Sequence, residues 1–397
     1  MADEYQNLGV SAMKADVHKA IRVLPPPAYP GAFCHLVVDP WDASQVMAMH
    51  ADGSGTKANV AYIAARELGG SGWFRGLAQD SAVMNIDDLI CVGAVGPYVL
   101  SNTIGRNAQV IGGDLLQEVL EGYHGFATQM AACGVEIMLA GGETADCGDT
   151  VQTIVVDSTV CTRMPAAAVI DFSRVRPGDV IVGLSSSGRA TYETAENSGI
   201  GSNGFTLARH ALLSSEYRKA YPETYARELD LQHVYRGTLK VGDMLPGTQL
   251  TVAEALLSPT RTYAPVVKEL LRQLPDAVHG LIHNTGGGLT KCIRFGKGLR
   301  FVKRELLPLP PVQRAIREIS GVGLPTMAQT FNCGHRLEIY CPAADAQAVM
   351  RVATQFGIES KVVGEVVPLR RGGEGNEVEV LLEGQTLEFG PEGLVGA

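Results

Sequence analysis

The sequence predicts a mixed α/β (α+β) fold of two domains, and three observations support this. The chain of 397 residues is long enough for two domains, each with a hydrophobic core of its own. Its composition of 46% hydrophobic and 19% charged residues is that of an ordinary globular protein. In both halves, apolar segments of strand type alternate with helical patterns and glycine-rich loops.

The first half begins its regular structure with VMAMHADG (46–53), which predicts a strand. Apolar spacing over 79–92 then predicts a helix, and YVLSNTIG (98–105) predicts a second strand. A long amphipathic helix over 114–133 should end at Gly134. EIMLAGG and QTIVVDSTVCT, which follow it, predict two further strands.

The domain boundary is predicted near residue 172, because 171–180 (DFSRVRPGDV) is polar and turn-rich and leads into a new apolar strand. This gives domains of 1–172 and 173–397. Toward the end of the chain, HRLEIYCP, ADAQAVMRVATQFG and SKVVGEVV predict a strand–helix–strand unit. The last predicted element is a hairpin that turns at Glu383-Gly384.

Composition and charge exclude several classes of function. The net charge of −9 argues against a general nucleic-acid binder, which usually has a basic face. No apolar run approaches the ~20 residues of a membrane span, and the N-terminus is too polar for a signal peptide. Eight cysteines without a CxxC pair suggest reduced thiols. We therefore expect a soluble cytoplasmic protein with a small-molecule partner.

The stretch HADGSGTKANVAY (50–62) concentrates polar and glycine residues after the first strand. It lacks the spacing of a P-loop, and its weak dinucleotide-type pattern is not followed by the acidic residue that would hold a ribose. Two interpretations remain. Either it is a structural turn with a solvated lysine, or Asp52 holds Mg²⁺ while backbone N–H groups and Lys57 face phosphate oxygens.

The predicted helix over 79–92 places Asp80, Asp87 and Asp88 on one side. Three carboxylates on one partly apolar face repel each other unless a cation compensates them. Mg²⁺ that bridges a polyphosphate is a common compensator, and a solvated acidic face is the alternative. We expect metal binding here.

Three further loops have a related composition. LAGGETADCGDT (139–150) predicts a glycine turn after a strand that carries Glu143, Asp146 and Asp149. The loops 184–205 and 283–291 combine Gly, Ser, Thr and Asn with a nearby cation, which suits anion binding by backbone N–H and hydroxyl donors. The sequence thus predicts acidic loops in the first half and phosphate-type loops in the second.

Seven motifs in a fixed order make the chain resemble the phosphoribosylformylglycinamidine cyclo-ligase (aminoimidazole ribonucleotide synthetase) family. They are ADGSGTK (51–57), MNIDDLICVGA (84–94), GGETAD (141–146), SNGF (202–205), LLSPTRTYAP (256–265), HNTGGG (283–288) and TFNCG (330–334). The resemblance covers most of residues 5–365 and is carried by the set of motifs together.

The resemblance implies a two-domain aminoimidazole ribonucleotide synthetase-like fold, with N-terminal strands that form a β-barrel across a homodimer. It implies a cyclo-ligase that uses ATP and Mg²⁺ to close the imidazole ring of a ribonucleotide in purine biosynthesis. The implied catalytic residues are Lys57, Asp88 and Glu143, and the implied metal ligands are Asp52, Asp87, Asp88 and Glu143. The implied ATP and phosphate contacts are Asp52, Gly53, Ser54, Gly55, Thr56, Lys57, Asp80, Gly141, Gly142, Glu143 and Thr144. The implied substrate contacts are Ser202, Asn203, Gly204, His283, Thr285, Gly286 and Gly287.

The chain departs from the family pattern mainly on the substrate side. The loop before SNGF is lengthened, and Gly201 stands where the family commonly has a histidine. Two alternatives therefore stay open beside the cyclo-ligase. One is an ATP-dependent phosphoryl-transfer enzyme of the same superfamily with another acceptor. The other is a non-catalytic nucleotide-binding paralogue.

Overall fold

The N-terminal half, up to residue 172, contains a five-stranded sheet and three α-helices in the described part of the chain. The computed structural model describes residues 5–10, 17, 20–23, 25–370, 375–391 and 393–395. The strands are β1 Leu36–Val38, β2 Gln45–Gly53, β3 Tyr98–Arg106, β4 Ile137–Asp146 and β5 Ile154–Pro165. The helices are α1 Lys57–Leu68, α2 Gly76–Ile90 and α3 Gly113–Ala132.

The strand order of this sheet is β1-β2-β5-β3-β4, with β3 and β4 parallel and the other neighbours antiparallel. Burial alternates along β5, so one face is packed and the other points outward. Helix α2 covers the packed face, where its Ser81 hydroxyl lies 2.7 Å from the Ser158 hydroxyl. This arrangement places the acidic helix directly beneath the strand that leads into the glycine-rich loop.

The C-terminal half is built around a larger sheet. Its strands are β6 Asp179–Ser185, β7 Ser187–Gly188, β8 Asn197–Ser198, β9 Gly280–His283, β10 Leu299–Lys303, β11 His335–Pro342, β12 Ser360–Pro368, β13 Glu377–Leu382, β14 Gln385–Gly390 and β15 Gly393–Leu394. Its helices are α4 Phe205–Leu212, α5 Tyr217–Ala220, α6 Val252–Leu256, α7 Ala264–Gln273, α8 Pro311–Ser320, α9 Leu324–Thr330 and α10 Ala346–Gln355.

Eight of these strands form one sheet in the order β15-β14-β13-β10-β12-β6-β11-β9. Among the described strands of this sheet, only β10 and β13 pair in parallel, and β7 with β8 forms a separate small ribbon. Neither large sheet closes on itself within the described residues. The predicted mixed α/β fold is confirmed.

The predicted strands at 46–53, 98–105 and 335–342 are confirmed, as is the terminal hairpin. The helix predicted over 79–92 runs from Gly76 to Ile90.

Buried hydrophobic side chains of both halves belong to one continuous cluster, so the halves pack closely against each other. In the described residues, no helix is both long and apolar enough to cross a bilayer.

The predicted glycine turn at 139–150 is wrong in its first part. Strand β4 continues through the two glycines to Asp146 and pairs in parallel with β3 after a register shift between Leu100 and Asn102. Backbone pairing with β3 keeps this segment extended, and sequence composition does not reveal such pairing because it is a contact between distant residues. Gly141 has a positive φ of 92° at the irregularity.

Candidate active site

The glycine-rich loop lies between the end of β2 and the start of α1. Gly55 takes a φ of +60°, which favours glycine, and the Ser54 N–H donates to the Val156 carbonyl at 2.9 Å. The Thr56 hydroxyl lies 3.1 Å from the Thr206 hydroxyl. A side chain at Gly55 would begin 3.8 Å from the Ser202 carbonyl oxygen. The loop of the first half therefore meets the SNGF loop of the second half.

A cavity of about 490 Å³ opens beside this meeting point. Gly55, Thr56 and Asn59 line it from one half, and Thr206 and Arg209 line it from the other. Its volume is in the range of small-molecule sites. A larger cavity of about 760 Å³ lies near Trp73 and His124, and none of the predicted site residues lines it.

Lys57 lies at the start of α1 with its side chain fully buried. Its ammonium group donates to Asp80 Oδ1 and to the Ser258 carbonyl, both at 2.7 Å. Asp80 also accepts from the Thr260 N–H at 2.8 Å and from the Thr260 hydroxyl at 2.6 Å. These contacts make the Lys57–Asp80 pair a bridge between the halves. Its predicted contact with phosphate stays a prediction.

Asp87 is also buried against the second half. Its carboxylate accepts from the Thr262 hydroxyl at 2.6 Å and from the Tyr263 N–H at 3.0 Å. Burial raises the pKa of Asp87 to about 7, although these hydrogen bonds act in the opposite direction. Each of the three acids of α2 has protein partners.

Asp88 joins two imidazoles from different strands. Its Oδ1 lies 2.8 Å from His283 Nδ1 on β9, and its Oδ2 lies 3.3 Å from His50 Nε2 on β2. Burial opposes ionisation, but the Lys291 charge and the two imidazoles hold the pKa of Asp88 well below its usual range. This contact brings residues 50, 88 and 283 together at the junction of the halves.

The two imidazoles differ in their surroundings. Burial lowers the pKa of His283 to about 4 despite the Asp88 carboxylate. Burial also disfavours the charged form of His50, but Asp88, with smaller contributions from Asn85 and Asp52, raises its pKa to about 9. His283 Nε2 is buried and has no hydrogen-bond partner among the described residues. With Nδ1 directed to Asp88, Nε2 is the ring nitrogen that is left without a partner.

The four carboxylates predicted to bind metal do not meet in the single chain. Register places Glu143, Thr103 and Asp157 on the outer face of the five-stranded sheet, where Glu143 is exposed. Asp52 pairs with Ser158, whose side chain points to the inner face. Within the described residues, no group of three or more His, Cys, Asp or Glu side chains could hold a metal ion.

Asp52 and Asp88 are nevertheless close to a common neighbour, because both raise the pKa of His50 after burial has lowered it. Gly141, Gly142 and Thr144 lie with Glu143 on strand β4 at the edge of the sheet. This edge is two strands away from β5, which helix α2 contacts through Ser81. The structure thus separates the predicted acidic groups into an inner set and an outer set.

The predicted substrate loops approach each other. A side chain at Gly286 would begin 3.8 Å from the Asn203 amide nitrogen. Thr285 is buried, and its hydroxyl accepts from the Lys291 ammonium group. Gly204 and Gly287 both have positive φ, of 73° and 101°, which suits the tight turns of these loops. Ser202 Oγ is buried without a hydrogen-bond partner in the described part of the chain.

The lengthened loop before SNGF is fastened to the body of the protein. Arg261 is buried and donates to Glu193 and to the carbonyls of Ser185, Ser187 and Gly188. Asn197 donates to the Pro259 carbonyl at 2.9 Å. The insertion therefore has many fixed contacts to the 258–262 segment.

Two residues of the junction were missed by sequence reasoning. His50 had a usable signal, because the two-residue alternation of a strand puts it on the same face as Asp52. The sequence contained no such signal for Arg336. This residue lies in β11 at a register irregularity, and only the fold brings it to the SNGF loop.

Comparison with known proteins identifies the family of the chain. Residues 34–164 match AIR synthase related protein, N-terminal domain, and residues 176–374 match AIR synthase related protein, C-terminal domain. The chain belongs to the AIR synthase related protein family.

Relatives within this family carry a more specific name. A protein of Methanocaldococcus jannaschii named phosphoribosylformylglycinamidine cyclo-ligase is 30% identical over 321 residues, which are 81% of this chain and 78% of the relative. The resemblance inferred from the seven motifs is thereby confirmed.

Solved structures show the same fold at low sequence identity. T. maritima PurL complexed with FGAR has a TM-score of 0.56 at 15% identity, covering 95% of this chain and 49% of that one. T. maritima PurL complexed with ATP has a TM-score of 0.53 at 14% identity, covering 96% and 48%. This chain thus spans about half the length of those structural neighbours, and the likeness concerns the fold.

Proposed function

We propose that the protein is an ATP-dependent cyclo-ligase that converts formylglycinamidine ribonucleotide to aminoimidazole ribonucleotide in purine biosynthesis. Membership of the family and the name of its relative support the reaction. The observation that carries the proposal in this chain is the meeting of the 52–57 loop with the 202–206 loop beside Asp88 and His283. The loop predicted to bind phosphate and the loop predicted to bind substrate approach each other there, which supports the proposal.

The proposed reaction has two steps. The formyl amide oxygen attacks the γ-phosphoryl group of ATP, which forms an O–P bond and releases ADP. A substrate nitrogen then attacks the activated carbon, closes the ring and expels the phosphate together with the amide oxygen. In this proposal, His283 Nε2 accepts a proton from the attacking nitrogen, which its contact from Nδ1 to Asp88 and its lack of another partner among the described residues support.

ATP with Mg²⁺ is the proposed cofactor. Mg²⁺ in phosphoryl-transfer sites is commonly held by one or two carboxylates together with substrate phosphates, so it does not need a cage of three protein acids. Asp52 and Asp88, whose charges both act on His50, fit this donor set. Bound there, the metal would neutralise charge on the transferring phosphoryl group. Asp87 and Glu143 lie in other surroundings and are not part of this proposal.

The proposed assembly is a homodimer joined through the outer face of the five-stranded sheet. Register aligns Met49, Cys161, Val99 and Met138 in one row across β2, β5, β3 and β4. Met49 is 62% exposed, Val99 39% and Met138 44%, which is unusual for the centre of a sheet. A second copy would cover this row, and a β-barrel across the dimer is the form we propose for it.

Two further predictions remain part of the proposal. The eight cysteines are all unpaired, as expected in a reducing compartment, so we propose a cytoplasmic location. We also keep domains of 1–172 and 173–397, since the 172–178 segment lies between the last strand of the first sheet and β6.

The deciding experiment measures phosphate release with ATP, Mg²⁺ and formylglycinamidine ribonucleotide, and detects aminoimidazole ribonucleotide by diazo coupling. We expect ADP release that depends on the ribonucleotide and matches ring formation in amount. ATP binding without turnover would reject the proposal. ADP release with another acceptor would instead indicate a different enzyme of the same family.

A further inference from the structure

Arg336 occupies an irregular position in the C-terminal sheet. In the pairing of β11 with β6, His335 lies opposite Ser185 and Leu337 opposite Leu184, so Arg336 is an extra residue in its strand. Such a bulge re-aims a side chain relative to the regular alternation, and bulges are frequent beside active sites. Its backbone carbonyl accepts from the Asn284 N–H at 2.6 Å, which ties the bulge to the HNTGGG loop.

The guanidinium of Arg336 is buried with few partners. The residue is 1% exposed, and Nη2 donates to the Arg261 carbonyl at 2.8 Å. Nε and Nη1 have no hydrogen-bond partner among the described residues. A guanidinium carries five N–H groups, and a buried charge is costly unless an opposite charge and hydrogen bonds compensate it.

No carboxylate in the described residues forms an ion pair with Arg336. The Arg336 charge acts on Asp87, whose oxygens already accept hydrogen bonds from Thr262 and Tyr263. Lys57 and His283 also feel its positive charge, which adds to burial in lowering their pKa values. The Tyr263 ring lies 5.8 Å from the guanidinium. Among the described residues, the Arg336 guanidinium therefore has no ion-pair partner and two nitrogen atoms without an acceptor.

The SNGF loop faces this cation. A side chain at Gly201 would begin 3.3 Å from Arg336 Nη1, so the glycine leaves room for the guanidinium. The hydroxyl of the next residue, Ser202, is buried and has no hydrogen-bond partner among the described residues. His283 Nε2 is likewise buried without a hydrogen-bond partner there. Polar atoms without a hydrogen-bond partner in the described part of the chain, namely Arg336 Nε and Nη1, Ser202 Oγ and His283 Nε2, thus lie on or next to the 201–204 and 283–287 loops.

We propose that Arg336 binds the phosphate monoester of the ribonucleotide substrate and thereby determines specificity for a phosphorylated ligand. The identity of that ribonucleotide rests on the proposed function, but the recognition of a sugar phosphate does not. A phosphate supplies several acceptor oxygens and the negative charge that the guanidinium lacks. Ser202 is the neighbouring donor in this anion site.

The first test uses ribose 5-phosphate as the probe and ribose as its uncharged counterpart, with thermal unfolding as the measurement. We expect ribose 5-phosphate, and not ribose, to raise the Tm of the wild-type protein. Arg336→Gln should abolish this rise and Arg336→Lys should keep part of it. Arg304→Gln, which removes an exposed arginine that pairs with Glu379, is the matched control and should respond like wild type. A wild-type protein without a response, or an Arg336→Gln variant with a full response, would overturn the proposal.

The second test measures steady-state kinetics with formylglycinamidine ribonucleotide. Arg336→Gln should raise the KM for the ribonucleotide about 10- to 100-fold, the usual effect of losing hydrogen bonds to a charged group, and leave the KM for ATP unchanged. A rise in the KM for ATP alone would assign the cation to ATP and overturn the proposal. If the wild type proves inactive while the sugar-phosphate response depends on Arg336, the inference stands and the proposed function fails.

A third measurement separates ligand recognition from a structural role. Arg336→Met removes the charge and keeps much of the side-chain volume. Because the wild-type guanidinium is buried without an ion-pair partner among the described residues, we expect the ligand-free Tm of Arg336→Met to equal or exceed that of wild type. A large fall in Tm would show that Arg336 is paired inside the folded protein, contrary to the proposal.

Discussion

At the scale of single residues, the junction depends on how each ionisable side chain is partnered. Asp88 holds two imidazoles, and its pKa stays low although the residue is buried. Asp80 has a lysine partner at 2.7 Å, and Asp87 has only neutral donors. Neighbouring acids of one helix thus have different roles because their partners come from different segments.

Replacement of Asp88 by asparagine should lower turnover about 100-fold or more while the fold is kept. The amide cannot supply the charge that orients and polarises His283, and positioned proton transfer usually contributes that much. The assay is substrate-dependent ADP release, with circular dichroism to check folding. Asp149→Asn changes an exposed carboxylate and should keep wild-type activity. Full activity of Asp88→Asn would remove Asp88 from the mechanism.

His210 should make the folded state sensitive to mild acid. Its Nδ1 accepts from the Tyr235 N–H at 3.1 Å, and burial, with Arg209 and Arg236, holds its pKa far below the usual value. The unfolded chain then binds a proton that the native state rejects. Stability is therefore full above about pH 6.5 and falls with decreasing pH, by at most about 1.4 kcal/mol per unit.

The measurement for His210 is urea unfolding at pH 7.5, 6.5 and 5.5. The variant His210→Gln keeps an acceptor and removes the titration, so its stability should fall less than that of wild type across this range. If the free energy of unfolding fell by the same amount with decreasing pH in the two proteins, His210 would not be the source of the acid sensitivity.

At the scale of elements, α2 connects the two halves. Its Asp80 bonds to Lys57 and Thr260, and its Asp87 bonds to Thr262 and Tyr263. The 258–262 segment in turn fastens the lengthened loop through Arg261. Helix α2 therefore contacts both Lys57, which follows the glycine-rich loop, and the segment after α6, and that segment in turn holds the insertion.

Asp80→Ala should lower the free energy of unfolding by about 3 to 5 kcal/mol, because it leaves the Lys57 ammonium buried without its partner. The double variant Lys57→Met/Asp80→Leu replaces the pair by apolar groups and should recover much of this loss. Chemical denaturation compares the two. A double variant as unstable as Asp80→Ala would show that other contacts of Asp80, and not its pairing with Lys57, dominate.

At the scale of the whole molecule, the outer face of the five-stranded sheet is the exposed apolar surface that the proposed dimer would bury. Alternation along the strands directs every second residue outward, and register collects these residues into a continuous row. A second copy of the chain that covered this row would remove its apolar side chains from water, which would stabilise the dimer.

Val99→Lys and Met138→Lys should convert the dimer to a monomer, since each places a charge in the centre of the row. Analytical ultracentrifugation of the wild type and variants measures the mass. Leu231→Lys, at an exposed leucine outside the sheet, is the control and should stay dimeric. A monomeric wild-type protein at micromolar concentration would refute the dimer.

The sequence by itself determined the mixed α/β class, most strands and helices, and the family, because periodicity and motif order depend on residues close together in the chain. It also selected the 52–57 loop, Asp88, Ser202 and His283, which the structure brings to one junction. Only the tertiary structure decided that Lys57 pairs with Asp80, that residues 141–146 continue a strand and that the bulged Arg336 faces Gly201. Those outcomes depend on partners contributed by distant segments, and side-chain burial, pairing and register exist only once these segments have packed together.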